Sequence, residues 1–375
     1  VQNDGKYYVI RNSSSIIAFE MPKKDFGAFM ICASHTDSPS FKLKPDFEIN
    51  ADGCIKLSVE GYGGMIMSSW LDRPLSISGR IVTAKDGKVE TKLVNIDRDL
   101  LVIPSLAIHM SRDINKGYEF NIRRDMCPIA SEKNGRIEDI IAENVGVDKE
   151  EILGFDLSLY NRMRGTVLGT DGEYFSAPRI DDLQCMYSTL EGFLNSESDD
   201  NVTVFAAFDN EEVGSGTKQG AKSSFLRDVL ERICNNSETY KRAVAKSFML
   251  SCDNAHAVHP NFADKSDGTN RVYMNGGIVI KYNANQRYTT DAVSEAVVKY
   301  VCKNAGVPYQ MYANRSDIPG GSTLGNLSNE KVSLNTADIG LAQLAMHSSY
   351  ETAGSRDTEY MVKMIKEFYK TEIVL

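Results

Sequence analysis

The sequence predicts an α/β protein, in which a layered mixed-sheet domain is interrupted by an inserted β-rich domain. Three observations carry that expectation. From about residue 169 onward, compact apolar runs of strand length alternate with helical patterns, the texture of a sheet covered by helices. Between residues 40 and 168 apolar and polar residues alternate in several runs and long helical periodicity is mostly missing, which reads as antiparallel β-structure. Ahead of that stretch, Phe29-Met30-Ile31-Cys32-Ala33 is a continuous apolar run, the pattern of a strand buried on both faces. The expected organisation is a discontinuous domain of residues 1–39 and 169–375 with residues 40–168 inserted into it.

Taken in order, the first element is a hairpin across Tyr7–Phe19, followed by the Phe29–Ala33 strand. Within the insertion, Cys54–Glu60, Leu75–Ala84 and Lys88–Ile96 alternate, and Asp86-Gly87 marks a tight turn between the last two. A helical stretch around Ile137–Glu151 leads back. Val202–Phe208 and Phe248–Ser251 then read as strands. Helical faces are expected at Phe225, Leu226, Val229, Leu230 and Ile233, at Val293, Ala296, Val297, Tyr300 and Val301, and at Met361, Met364, Ile365 and Phe368.

Composition narrows the function classes. The 375 residues carry 42% hydrophobic and 25% charged side chains, ordinary for a folded protein of two or three domains. Forty-two basic against 51 acidic residues leave a net charge of −9, which argues against nucleic-acid or anionic-membrane partners. No apolar stretch approaches the roughly 18 residues that cross a bilayer, and no signal peptide is visible after Val1. The seven cysteines are scattered and never form a C-x-x-C pair. Reduced thiols in a cytoplasmic compartment are therefore expected, and thiolates are not expected to hold a metal.

Five places could do chemistry. His35 follows the apolar strand in an H-x-D triplet with Asp37, an arrangement that puts a carboxylate near the second nitrogen of a metal-bound imidazole. By itself that triplet equally describes a satisfied loop histidine. Glu211 and Glu212 follow the Val202–Phe208 strand; adjacent carboxylates at a buried strand end repel unless a cation offsets them. One of them on a metal and its neighbour on the attacking water would remove the conflict, and a solvated acidic loop is the alternative. Asp253 is the first acidic residue past the Phe248–Ser251 strand, and His347 follows an apolar run near the C-terminus. Asp181 stands where it could simply cap the helix running to Leu194. Two His, two Asp and one Glu form a nitrogen and hard-oxygen mixture suited to a pair of zinc-like dications. Several of the five follow the carboxyl end of a strand, where open α/β sheets build their sites.

The segments SHTDSP, YGGMIMSSWLDRPL, IPSLAIHM, SAPRIDDL, FDNEEVGS, SCDNAHAVHPN, VIKYNANQRY, SDIPGGSTLG and LAMHS occur in that order. With them the chain resembles the aspartyl aminopeptidases, a family of dinuclear zinc exopeptidases, over nearly its whole length. The resemblance implies two zinc ions per subunit, with Mn or Co possible in place of either, held by His35, Asp181, Glu212, Asp253 and His347, with Asp181 bridging. It makes Glu211 the general base and gives Asp37 the orienting of His35. His109, in IPSLAIHM, is implied to reach a neighbouring subunit's site and hold the scissile carbonyl; a further metal-contacting imidazole is its other reading. His256 and His259 are read as structural or supporting residues. The insertion is implied to form dimers that assemble into tetrahedral dodecamers.

The implied reaction removes one residue from the free N-terminus of a peptide, with preference for Asp or Glu. Lys281 is the cation expected to meet that acidic side chain, and Gly321 and Ser322 resemble the family's substrate-pocket loop. Gly320-Gly321-Ser322-Thr323 lacks the Lys-Ser/Thr ending of a nucleotide loop. One departure is Asp182, which stands where relatives often have Asn. Broader side-chain specificity, another dinuclear amidohydrolase or carboxypeptidase, and a non-catalytic assembly protein are the alternatives.

Overall fold

A computed structural model describes residues 1–132, 135–196, 200–234 and 236–374. Two compact units emerge: residues 1–38, 166–346 and 351–375 form the first, and residues 39–165 with 347–350 form the second.

The first unit is built on an eight-stranded mixed sheet. Its strands lie in the order Lys6–Arg11, Ser15–Glu20, Val202–Phe208, Phe29–His35, Phe248–Cys252, Asn335–Gly340, Ile278–Tyr282, Tyr309–Ala313. The central place of Phe29–His35, between Val202–Phe208 and Phe248–Cys252, explains its apolar composition. Phe29, Ile31 and Ala33 face one core with the Phe225–Ile233 helix, while Met30 and Cys32 face the other with the Ile180–Leu194 and Asp357–Lys370 helices. A strand covered on both sides has no polar face, so the period-two signal vanishes and a solid apolar run remains.

The helices dock by their apolar stripes. Phe225, Leu226, Val229, Leu230 and Ile233 are all buried, as are Met361, Met364, Ile365 and Phe368. Burial stabilises each such side chain by about 1.5–3 kcal/mol, and truncating Leu230 to alanine would cost about 2–5 kcal/mol. The Ala292–Ala305 helix turns differently from the expected face. Val293 and Tyr300 are exposed, and Ser294, Val298, Val301 and Cys302 point inward. The apolar arc on this helix is wide enough for two faces, and the inward one includes Ser294, already satisfied in a capping box with Asp291.

In the second unit, six strands form an antiparallel sheet in the order Lys88–Asn95, Leu75–Lys85, Ile152–Asn161, Ser40–Ala51, Cys54–Tyr62, Ile129–Glu132. Asp86 and Gly87 take φ of 51° and 74°, the doubly left-handed turn that matches strand twist. The helix expected around Ile137–Glu151 is shorter, Ile137–Val145, and ends at Gly146 in the left-handed region. Gly146 stops it because it satisfies the last carbonyls without a Cβ penalty. Among the described residues no helix is long and apolar enough to cross a membrane, and the seven cysteines are free.

Candidate metal centre

Parallel pairing in the first unit aligns Phe208 with His35 and Ser251 with Ala33. The carboxyl ends of the three strands therefore open at one edge, and His35, the 209–212 turn and Asp253 emerge side by side.

His35 is 1% exposed. Its Nδ1 lies 3.0 Å from the Asp37 carbonyl oxygen; a carbonyl only accepts, so Nδ1 carries a proton and Nε2 is the nitrogen turned toward the carboxylates. Nε2 is 3.5 Å from Asp181 Oδ1 and 4.0 Å from Asp253 Oδ1. The Asp37 carboxylate stands on the same side, its Oδ1 3.5 Å from Nδ1. The Asp37 carboxylate has another task. It accepts the Glu211 N–H at 3.0 Å and the Glu212 N–H at 3.1 Å, which pins the glutamate turn to the histidine loop.

Asp181 lies where the Ile180–Leu194 helix is interrupted, with an extended backbone of φ −79° and ψ 112°. The Asp181 N–H donates to Glu351 Oε2 at 3.0 Å, and its carbonyl accepts the Ser38 hydroxyl at 2.8 Å. These bonds leave the carboxylate aimed at His35. Asp182, outside the expected ligand set, is fully buried and accepts the His35 N–H at 3.1 Å. Its other oxygen has no hydrogen-bond partner among the described residues. The doublet Asp181-Asp182 was visible in the sequence, but nothing in its spacing showed that both carboxylates turn inward.

Ligand atoms of His35, Asp181, Asp182 and Asp253 all lie within 4.8 Å of one another, as do those of His35, Glu211 and Glu212. Burial, reinforced by the neighbouring carboxylates, pushes Asp182 well above the usual carboxylate range and raises Asp253 too. Burial pushes Glu211 up to about 7, against the pull of His35. Burial also disfavours the His35 imidazolium, but hydrogen bonds and charge from Asp181, Asp37 and Asp182 outweigh it and hold His35 well above its ordinary value. Carboxylates this close stay ionised together only beside a cation. Nitrogen and hard-oxygen donors at such spacing fit zinc.

Lys281 is 2% exposed. Its Nζ donates to the Asn254 carbonyl at 2.8 Å and lies 3.5 Å from Asp253 Oδ2 and 5.5 Å from the centre of the Tyr288 ring. The cation expected to meet substrate is therefore already engaged with a candidate ligand. Gly321 and Ser322 are exposed in the loop before the Leu324–Asn329 helix. His109 and His347 belong to the second unit. His109 is exposed on a short 3-10 turn, Ile108–Met110. His347 has a left-handed φ of 66°, and its Nδ1 lies 2.6 Å from the Gly64 carbonyl oxygen, so Nδ1 again carries a proton.

Comparison with known proteins agrees with this chemistry. Residues 1–369 match the family described as aminopeptidase I zinc metalloprotease (M18). A probable M18 family aminopeptidase 2 of Clostridium acetobutylicum is 45% identical over 98% of this chain and 89% of its own length. A cryo-EM structure of the Ape4 and Nbr1 complex superposes with a TM-score of 0.95 at 35% identity, covering 98% of this chain and 77% of that one. The S. cerevisiae mApe1 dodecamer gives 0.85 at 28% identity, covering 98% and 85%. On these grounds, with a mixed-sheet fold that matches M18 structures, the chain belongs to the M18 family of zinc metalloproteases and is a metallo-aminopeptidase.

Proposed function

We propose that this aminopeptidase works with two zinc ions and prefers peptides beginning with Asp or Glu. In this reading His35, Asp181, Glu212, Asp253 and His347 are the ligands. His347 enters the set from its motif, and the first four from their gathering at one strand edge. Manganese or cobalt could replace either ion. When bound, zinc polarises the scissile carbonyl and makes water acidic enough to attack near neutral pH. The protein's own part falls first to Glu211. A carboxyl beside His35 and next to a proposed ligand can take a proton from the attacking water and return it to the leaving amine. Asp37 keeps that carboxyl in place through the two turn amides. The substrate's α-amino group would meet a carboxylate of the cluster. Lys281, with a third donor beyond those facing Asn254 and Asp253, would receive the acidic side chain, walled by Gly321 and Ser322.

The observation that carries this reading is the Glu211-Glu212 pair beside His35, one carboxylate for the metal and one for the proton. Glu211→Gln should keep the full zinc content while losing at least about 10²-fold in kcat, because an amide cannot accept the proton. Loss of zinc in step with activity would move Glu211 among the ligands. We also propose that the second unit forms dimers assembling to a dodecamer in the cytoplasm, with His109 contributed to a neighbour's site. The mApe1 dodecamer supports the assembly.

A further inference from the structure

Asp338 sits on the Asn335–Gly340 strand, fully buried. Its carboxylate ties two loops together. Oδ2 accepts both the N–H and the hydroxyl of Thr289 at 2.5 Å, and Oδ1 accepts the Thr323 hydroxyl. Its own N–H donates to Thr290 Oγ1 at 2.9 Å. A second tie runs alongside, from Arg287 Nη1 to the Gly320 carbonyl at 2.8 Å. The approach is close enough to need a glycine next to it. A Cβ on Gly325 would stand 2.9 Å from Asp338 Oδ2 and 3.0 Å from Thr289 Oγ1.

One loop holds Gly321 and Ser322, and the other packs against Lys281, the residues proposed to face substrate. Thr289 directly follows Tyr288, whose ring lies over the Lys281 ammonium. Thr323 directly follows Gly321 and Ser322. Thr323 would ordinarily cap the helix that starts at Leu324, yet it makes no side-chain cap there and spends its hydroxyl on Asp338. A buried carboxylate with three donors from two separate loops holds them at fixed separation, since charge-assisted hydrogen bonds are the strong ones.

We infer that Asp338 is the positioning residue for the substrate side-chain pocket, locking the 287–290 loop against the 320–323 loop. This rests on the reading that Lys281, Gly321 and Ser322 face substrate. It acts by geometry, with no contact to the reacting atoms.

The test measures kcat and KM separately for Asp, Glu and Leu arylamides, with zinc content and melting temperature of each variant. Asp338→Asn removes charge and one acceptor; Thr323→Val and Thr289→Val each cut one hydroxyl tie and spare the carboxylate, so the test survives if Asp338→Asn does not fold. The expected result is a rise in KM of about tenfold for Asp338→Asn and about threefold for each valine variant, with kcat within about twofold and zinc at the unmutated level. An unchanged KM alongside a lowered melting temperature would reduce Asp338 to a structural bond. A fall in kcat proportional to zinc loss would overturn the inference in favour of support for the metal centre. If the unmutated enzyme shows no acidic preference, the Lys281 reading fails, while Asp338 is still judged on KM for the best substrate.

Discussion

Replacing Asp37 by alanine should detach the glutamate turn from the histidine loop. The carboxylate is 7% exposed and accepts two backbone amides, those of Glu211 and Glu212, at 3.0 and 3.1 Å. Hydrogen bonds to a charged acceptor contribute about 1.5–3 kcal/mol each, so the pair holds the turn by about 3 kcal/mol at the low end. Alanine also removes the acceptor of both N–H groups. Amide exchange at Glu211 and Glu212 in metal-free protein should accelerate by about 10²-fold, the factor that 3 kcal/mol represents. Zinc affinity, read by chelator competition, should fall by about 10–100-fold, as is usual when a group that orients a ligand is lost. Asp37→Asn keeps one carbonyl oxygen and should show roughly half the effect in free energy. Exchange rates and zinc affinity unchanged in Asp37→Ala would refute the idea that Asp37 couples the two loops.

Other consequences concern pH, charge and assembly. Glu211, Asp182, Asp253 and His35 all bind protons more tightly in the folded metal-free protein than in the unfolded chain. Its stability should therefore fall as pH rises between about 6 and 8, and saturating zinc should remove that trend; a metal-free melting temperature that climbs over the same range contradicts the assignment. Lys281→Ala should lower kcat/KM for Asp and Glu substrates about tenfold or more relative to Leu; equal losses on all three, with zinc reduced, would make Lys281 only the counter-ion of Asp253. Mixing His109→Ala subunits with Glu211→Gln subunits should restore part of the activity each lacks, and mixed oligomers that stay inactive would place His109 outside a neighbour's chemistry.

Much of the fold could be read from local pattern because burial writes itself into the sequence. The run Val202–Phe208 and the stripe Met361, Met364, Ile365, Phe368 are apolar wherever they touch a core and could hardly sit elsewhere. The Ala292–Ala305 helix shows the limit. Its apolar residues span both Val297 and Val298, and only the tertiary partner chooses between neighbouring faces. Sheet order was also hidden. Placing Ile278–Tyr282 antiparallel beside Asn335–Gly340 depends on long-range pairing that no local period encodes.

The site divides along the same line. Residues just past apolar strands were legible, since His35, Glu211, Glu212 and Asp253 each follow one, and parallel register then forces them together. What the sequence could not convey is how a charge is spent once it is there. Lys281 ends its strand like a solvent-facing lysine, yet the fold turns its ammonium onto Asp253 and Asn254. Asp37 lies beside its neighbour His35, and its carboxylate also crosses 174 residues to hold Glu211. In both cases a charged side chain is buried, and a buried charge is stable only where other groups meet it. The identity of those groups is a property of the fold alone. Mutating either residue therefore tests the arrangement of the centre as much as the role read from its motif.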